Sequence, residues 1–481
     1  MRYLKWWERV GVSEQVAVSL QGQLRKFERN IQGSHSITDN NVADKFNKKR
    51  HSSKLRRSIL KEFSRPLPRN LSVKQLLLSQ RDSALLDGLC ENRSEKWLSI
   101  LEREPRGEVQ VENFSFLDFP IETMQTLQKI VDGDNRFADV KVNFKDPTCL
   151  DIGSMLVFEE MWRKLSPVFT GGLINDNTSR VIELLGLRKQ MGWKPLVFSE
   201  DSDPVAPFIF RRQERPDNAE RSMGIEPSRS LLVAYDLVNF IDLTLKNVCS
   251  AKLSKDGRAS FLSLVGEVLD NAGTHATEDK RGGFTISGFV VKRTDGDGEV
   301  FRFHLGFLSM GNSISKSLEN PPPQIKPNMD HYIRLHLGVN GLTEENLRTV
   351  YAIRDGITRL HEKIDVIDGK SLGGTGLADI LDFFSKLSLI ARTDKKPQLA
   401  IVSGNTYISV KEPYSQARRQ RGDSEDVPDQ TVKRELWFNE KNTPDEPPDV
   451  EHVIALPCSL AGTLVTLAFD IDPDLMVKVE K

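Results

Sequence analysis

The sequence predicts a multidomain chain of α/β and α+β character: a helical N-terminal region, a small α/β domain and a C-terminal α/β sandwich. Three observations predict it. Short apolar strands alternate with amphipathic helices between about 108 and 197, the pattern of an α/β unit. Beyond residue 230, helical stretches at about 230–250 and 259–276 precede extended apolar runs at 283–292, 299–309, 398–403, 406–410 and 462–471. Clusters of Pro, Ser and charge punctuate the chain between these blocks.

Residues 1–107 read as mostly helical and polar, broken at Pro66, Pro68 and the Arg103–Gly107 turn. Within them the stretch 45–69 carries Lys45, Lys48, Lys49, Arg50, Lys54, Arg56, Arg57, Lys61, Arg65 and Arg69, opposed only by Glu62. A solvated basic helix is the favoured reading. A grip on nucleic-acid phosphates is the alternative, disfavoured because no interleaved aromatics or nucleic-acid motif accompany the charge. Residues 108–197 form the α/β domain. VKVNF at 140–144 is its clearest strand, and Met155–Leu165 has helical spacing. Val181–Gly186 reads as a second helix closed by glycine. Residues 198–229, rich in charge, Pro and Ser, read as a linker. Residues 230–475 form the last domain, interrupted by a long stretch at 316–370 and a polar, Pro-rich insertion at 411–449.

Across 481 residues the hydrophobic content is 38%, charged residues make up 28% and the net charge is −1, which suits a folded, water-soluble chain. No apolar run reaches the roughly 18 residues that a membrane span needs. The N-terminal MRYLKWWERV has charges throughout and no apolar signal core, so a cytoplasmic location is expected. Cys90, Cys149, Cys249 and Cys458 lie far apart without a CxxC pair, which suits reduced thiols and offers no cysteine metal site.

The chemistry centres on EVLDNA at 267–272. On a helix, Glu267 and Asn271 lie one turn apart and share a face, while Val265, Leu269 and Ala272 suit packing on a sheet. A carboxamide oxygen can ligate Mg²⁺ and a carboxylate can accept a proton from an attacking water. Alone, such an i, i+4 pair is common on exposed helices. Three further segments follow in order. Ser309-Met310-Gly311-Asn312-Ser313-Ile314 ends a strand with a glycine turn, and Gly373-Gly374-Thr375-Gly376-Leu377 stands immediately before a helix. Gly462-Thr463 opens a late strand. Glycine amides at a helix start can approach phosphates closely, although a lone GGTGL is as compatible with a tight loop.

This ordered set resembles the ATP-binding domain of the GHKL, or Bergerat-fold, superfamily, which includes gyrase-type topoisomerases, heat-shock chaperones, histidine kinases and mismatch-repair ATPases. The resemblance covers roughly 230–472. It implies a mixed sheet covered by helices, with 316–370 as a flexible lid between two glycine boxes. It also implies ATP and Mg²⁺ as cofactors, with Asn271 ligating the metal, Glu267 as general base, and Gly373, Gly374 and Gly376 beside the phosphates. The implied nucleotide contacts further include Asp270, Ser309, Gly311, Thr375, Leu377 and Thr463. Two positions depart from the pattern: Ser309 stands where an adenine-binding aspartate is expected, and Ser313 replaces a glycine.

Val140–Leu156 and Gly171–Gly192 resemble the STAS-type domain of anti-sigma-factor antagonists, with Asp151 in its hallmark turn and Ser154, rather than the next residue, as the nearby serine. That would make the middle domain a docking or regulatory unit for a protein partner. The favoured function is a Mg²⁺-dependent ATPase acting as a conformational switch in bacterial signalling or defence. The alternatives are a serine/threonine kinase of the anti-sigma type and a non-catalytic nucleotide-sensing interaction protein. His361, inside 316–370 and without a following proline, reads as a surface residue rather than a phosphoacceptor. Many relatives dimerise, so a homodimer is compatible with the resemblance.

Overall fold

Alternating strand and helix builds the first unit. The computed structural model describes residues 83–90, 106–135, 139–145, 151–165, 169–174, 178–179, 182–183, 205–213, 229–275, 283–295, 298–354, 357, 380–381, 384, 396–414, 418–420, 433–470 and 476–478. Helix α1 (Ala84–Leu89) is capped by the Ser83 hydroxyl, which accepts from the Leu86 amide. Strands β1 (Arg106–Val111), β2 (Asp139–Phe144) and β3 (Phe169–Gly171) run parallel in that order. Parallel neighbours cannot be joined by a tight turn, and the connections here are α2 (Pro120–Asn135) and α3 (Ile152–Leu165). Pro120 opens α2, where a missing amide hydrogen is harmless. Phe114, Phe144 and Phe158 meet edge to face, with ring centroids 5.4 to 6.3 Å apart.

The second unit begins earlier than composition predicts. Strand β4 (Val205–Gln213) lies inside the stretch expected as a linker. After it come α4 (Arg229–Cys249), β5 (Ala251–Leu253), α5 (Lys255–His275), β6 (Gly283–Asp295) and β7 (Gly298–Met310). Then follow α6 (Ile314–Ser317), α7 (Lys326–His336), α8 (Glu344–Ala352), β8 (Gln398–Val410), β9 (Arg418–Gln420), β10 (Lys433–Glu435), β11 (Val453–Asp470) and β12 (Met476–Lys478). The main sheet has the order β4-β6-β7-β11-β8, and every pairing in it is antiparallel rather than mixed. Two small pairs, β5 with β12 and β9 with β10, complete the strands.

Alternate residues of a strand point to opposite faces, and both faces of this sheet are buried. On one face Phe303, Leu305, Phe307, Ile401, Val465 and Phe469 share a core with α4 and α5. On the other, Phe289, Leu308, Ala400, Val402 and Leu464 share a core with Met124 and Leu127 of α2 and with Ile152 and Leu156 of α3. Helices α2 and α3 therefore lie between the two sheets. Gly306 allows the approach of α3: a Cβ there would stand 2.9 Å from the Leu156 Cδ1 and 3.0 Å from the Ile152 Cγ2. The unit expected as a separate domain thus shares its core with the sheet.

Two stretches expected to be loose are packed over their described parts. Within 316–370, Met329, Tyr332, Leu347, Val350 and Tyr351 are buried in the α5-side core. Thr343 and Asn346 start α8 with a reciprocal capping box. Within 411–449, Leu436, Trp437 and Phe438 are buried in the same core. Apolar burial overrides the polar, Pro-rich composition of both. Arg354 ties them together, its guanidinium 3.7 Å from the Tyr351 ring centroid and 4.2 Å from that of Trp437, with Glu435 3.4 Å away.

Arg354→Ala is expected to lower the unfolding free energy by about 1–2 kcal/mol in urea titrations. Arg354→Lys should recover only part of it, because an ammonium cannot lie flat on both rings. Equal midpoints for Arg354→Ala and the native chain would remove the clamp's role. Among the described residues no helix is long and apolar enough to cross a membrane. The basic stretch 45–69 lies outside the described residues.

Candidate functional site

Helix α5 starts where the Ser254 hydroxyl accepts from the Gly257 amide. Phe261, Leu264, Val265, Val268 and Leu269, at helical spacing, bury one face of it against the sheet. Glu267, Asp270 and Asn271 fall in its C-terminal part, with Glu267 and Asn271 one turn apart; their side chains lie outside what the structure describes. The helix packs across β6 and β7. From its C-terminus the chain returns through residues 276–282 to the Gly283 end of β6.

At that end of the sheet, two segments singled out by sequence lie side by side. Thr463 pairs with Ser309 and Gly462 with Met310. Ser309 also pairs with Phe284, and Thr463 with Ser403, so one row crosses four strands. By strand alternation Ser309, Thr463 and Ser403 share the face of Phe307, Val465 and Ile401, which is the α5 face. The Ser403 and Thr463 hydroxyls stand 2.8 Å apart, and either can donate. Ser403 Oγ also accepts from the Ile314 amide at 2.8 Å. Ser309 is nearly buried. Gly311 and Gly462 have φ of 140° and 141°, and the Gly311 amide donates to the Ala461 carbonyl at 3.2 Å.

The loop leaving β7 explains Ser313. Its hydroxyl caps α6 by accepting from the Lys316 amide at 3.1 Å and lies 3.2 Å from Glu345 Oε1, to which it can donate. Burial pushes the Glu345 carboxyl above the usual range, while the bonds from Ser313 and the Asn405 amide act in the opposite direction. Asn346 donates to the Thr406 hydroxyl at 2.9 Å. The strand irregularity at Gly404, with φ of 60°, places this group against α8. Sequence reasoning missed Ser403 and Glu345. A glycine inside a strand pattern, Val402-Ser403-Gly404-Asn405, is the signal that marks such a bulge.

Asp151 proves to be a structural bolt. It is buried and accepts from the Phe116 amide at 2.5 Å, the Gly153 amide at 2.8 Å and the Thr466 hydroxyl at 2.7 Å. Burial raises its pKa, opposed by those three bonds. Ser154 is fully buried, its hydroxyl 2.9 Å from the carbonyls of both Phe114 and Asp151, where no modifying enzyme reaches it. Gly373, Gly374, Thr375, Gly376, Leu377 and His361 lie outside the described residues. Among the described residues no group of three His, Cys, Asp or Glu is placed to hold a metal ion. No protein-family model, no curated protein and no solved structure matches the chain.

Proposed function

We propose that this chain binds ATP with Mg²⁺ on the α5 side of the antiparallel sheet, at its Ser309 end, and works as a Mg²⁺-dependent ATPase switch. The observation that supports this most directly is the pairing of Thr463 with Ser309 beneath the face that α5 covers. The β7–β11 register thus sets two residues marked by motif order in one row of the sheet face that α5, the helix bearing Glu267 and Asn271, covers.

In this reading Asn271 holds the metal through its carboxamide oxygen, and the ion offsets charge on the phosphates when bound. Mg²⁺ commonly takes few protein oxygens and fills its other positions with phosphate oxygens and water, and Asn271 would supply one of those protein oxygens. Glu267 accepts the proton of the attacking water. Asp270 lies within the same segment, and Gly373, Gly374, Thr375, Gly376 and Leu377 complete the phosphate side. Helices α7 and α8 are built into the core, so switching does not consist of that whole segment swinging away. A route to the α/β unit exists instead along β11, where Thr466 holds Asp151 three residues beyond Thr463. We read that unit, similar to a STAS-type domain, as the part that reports the nucleotide state to a protein partner.

Calorimetry and phosphate-release assays on the full chain test the proposal. Glu267→Ala is expected to keep nucleotide binding while losing roughly 100-fold or more in turnover, and Asn271→Ala to lose both. Normal turnover in both variants would refute the assignment. The neutral Ser309 favours one second reading, a nucleotide-sensing protein without turnover. Binding without phosphate release by the native chain would select it, whereas label transferred to a protein would select a serine/threonine kinase.

A further inference from the structure

We infer that the Glu345 carboxyl is a pH-operated latch with two seats. Neutral, it fills a notch in β8 and ties α8 to the loop that leaves β7. Ionised, it turns along α8 to Arg348 and releases that loop.

One residue makes the notch. Gly404 stands at the irregularity of β8 with φ of 60°, and a Cβ added there would overlap Glu345 Oε1. The carboxyl therefore occupies space that only glycine leaves open. In that seat it joins three segments. It belongs to the first turn of α8, accepts from the Asn405 amide of β8 and lies 3.2 Å from the Ser313 hydroxyl. Ser313 in turn caps α6 through the Lys316 amide, and the Ile314 amide donates to Ser403 Oγ at 2.8 Å. A single side chain thus sits at the junction that fixes residues 311–317 against the sheet.

The second seat is an unused donor. Arg348 follows Glu345 by less than one helical turn, close enough for the two side chains to meet. Its Nη1 donates to Ser315 Oγ at 3.2 Å and its Nη2 to Glu344. Its Nε is buried with no hydrogen-bond partner among the described residues. A buried donor left unsatisfied is costly, and a carboxylate is the acceptor that satisfies it best.

Few charges face Glu345. Arg348 favours its ionised form, and Glu319, just beyond α6, disfavours it. Strand β8 carries no charged residue, and Asp470 of β11 pairs with Arg302 at the other end of the sheet. On α7, Lys326, His331 and Arg334 are exposed, Asp330 is half-buried, and the buried His336 is bonded to the Pro444 carbonyl. Burial outweighs the rest, so the folded chain holds this proton above the ordinary 4.5. Closure is complete below that value and is lost as pH rises through the raised one.

The test is amide hydrogen exchange of the full chain, read by mass spectrometry on peptides covering 311–317 and 403–406. Native and Glu345→Gln chains are compared at each pH, which cancels the intrinsic pH dependence of exchange and the titration of Asp151. Glutamine keeps the shape of the neutral carboxyl and cannot ionise, so its chain stays latched. Near pH 4.5 the two chains should protect these peptides equally. By about pH 8 the native chain should exchange them about threefold to tenfold faster, the factor that one lost hydrogen bond is worth. Equal exchange at both pH values, or a difference of one size at both, would overturn the inference. Arg348→Met covers the case in which the glutamine variant does not fold. Without the second seat, the rise in exchange should move to higher pH, and a rise at an unchanged pH would also overturn the inference.

Discussion

Gly462→Ala is expected to abolish the Ser309 end of the sheet, lowering the unfolding free energy by about 3 kcal/mol or more. Two costs add. The residue has φ of 141°, a conformation that side chains rarely adopt. An added Cβ would also stand 2.0 Å from the Ser309 carbonyl oxygen and 3.0 Å from the Met310 Cα. Those are backbone atoms held in the strand pairing, so no flexible group can move aside. Nucleotide binding should disappear together with the local fold. Gly266→Ala in α5 is the internal comparison: nothing lies within 4 Å of its added Cβ. There the lower helix cost of alanine should raise stability by about 0.5–1 kcal/mol. Denaturant midpoints of the two variants moving in the same direction would contradict the register of β7 against β11.

Asp151→Ala should cost about 3 kcal/mol. It strands the Phe116 amide, the Gly153 amide and the Thr466 hydroxyl, each an unsatisfied buried donor worth roughly 1 kcal/mol or more. Thr466→Val removes one bond of the three and should cost about 1 kcal/mol. The same site carries a pH signature. Burial raises the folded-state pKa above its ordinary 3.8, so the folded chain holds this proton more tightly than the unfolded chain. The stability it contributes is complete below that ordinary value and is lost as pH rises through the raised one. Urea unfolding across that window should show the loss in the native chain and its absence in Asp151→Asn. A native chain whose pH dependence matches that of Asp151→Asn would refute the linkage.

Most strands were legible in the sequence because their signals are local. The runs at 283–292 and 299–309 are joined across Asp295-Gly296-Asp297-Gly298, and they form the β6–β7 hairpin. Strand β4 was not legible, since Pro204 and Pro207 and the charged residues on either side of its short apolar run argue against a strand. As the outermost strand of the sheet it tolerates a residue that cannot donate to a ladder. Helices α7 and α8 were hidden behind Pro321-Pro322-Pro323. The partner that orders Tyr332 and Tyr351 is Trp437, far along the chain, with ring centroids 4.8 and 6.0 Å away. At the site, Ser309 and Thr463 could be picked out by motif order, whereas Ser403 and Glu345 needed the folded register. Asp151 was expected in a turn of the α/β unit, but its bond from Thr466, 315 residues along the chain on β11, needed the folded register.

A sheet buried on both faces has a consequence for how this chain can change over time. Phe289, Leu308 and Leu464 face α2 and α3, while their strand neighbours Val290, Phe307 and Val465 face α4 and α5. A substitution that repacks one layer shifts the strands that the other layer reads. Neither half is a transferable cassette: the half built on the antiparallel sheet cannot be traded onto another partner, nor the α/β half lost, without baring a broad greasy surface. The two must be inherited, and must drift, as one piece.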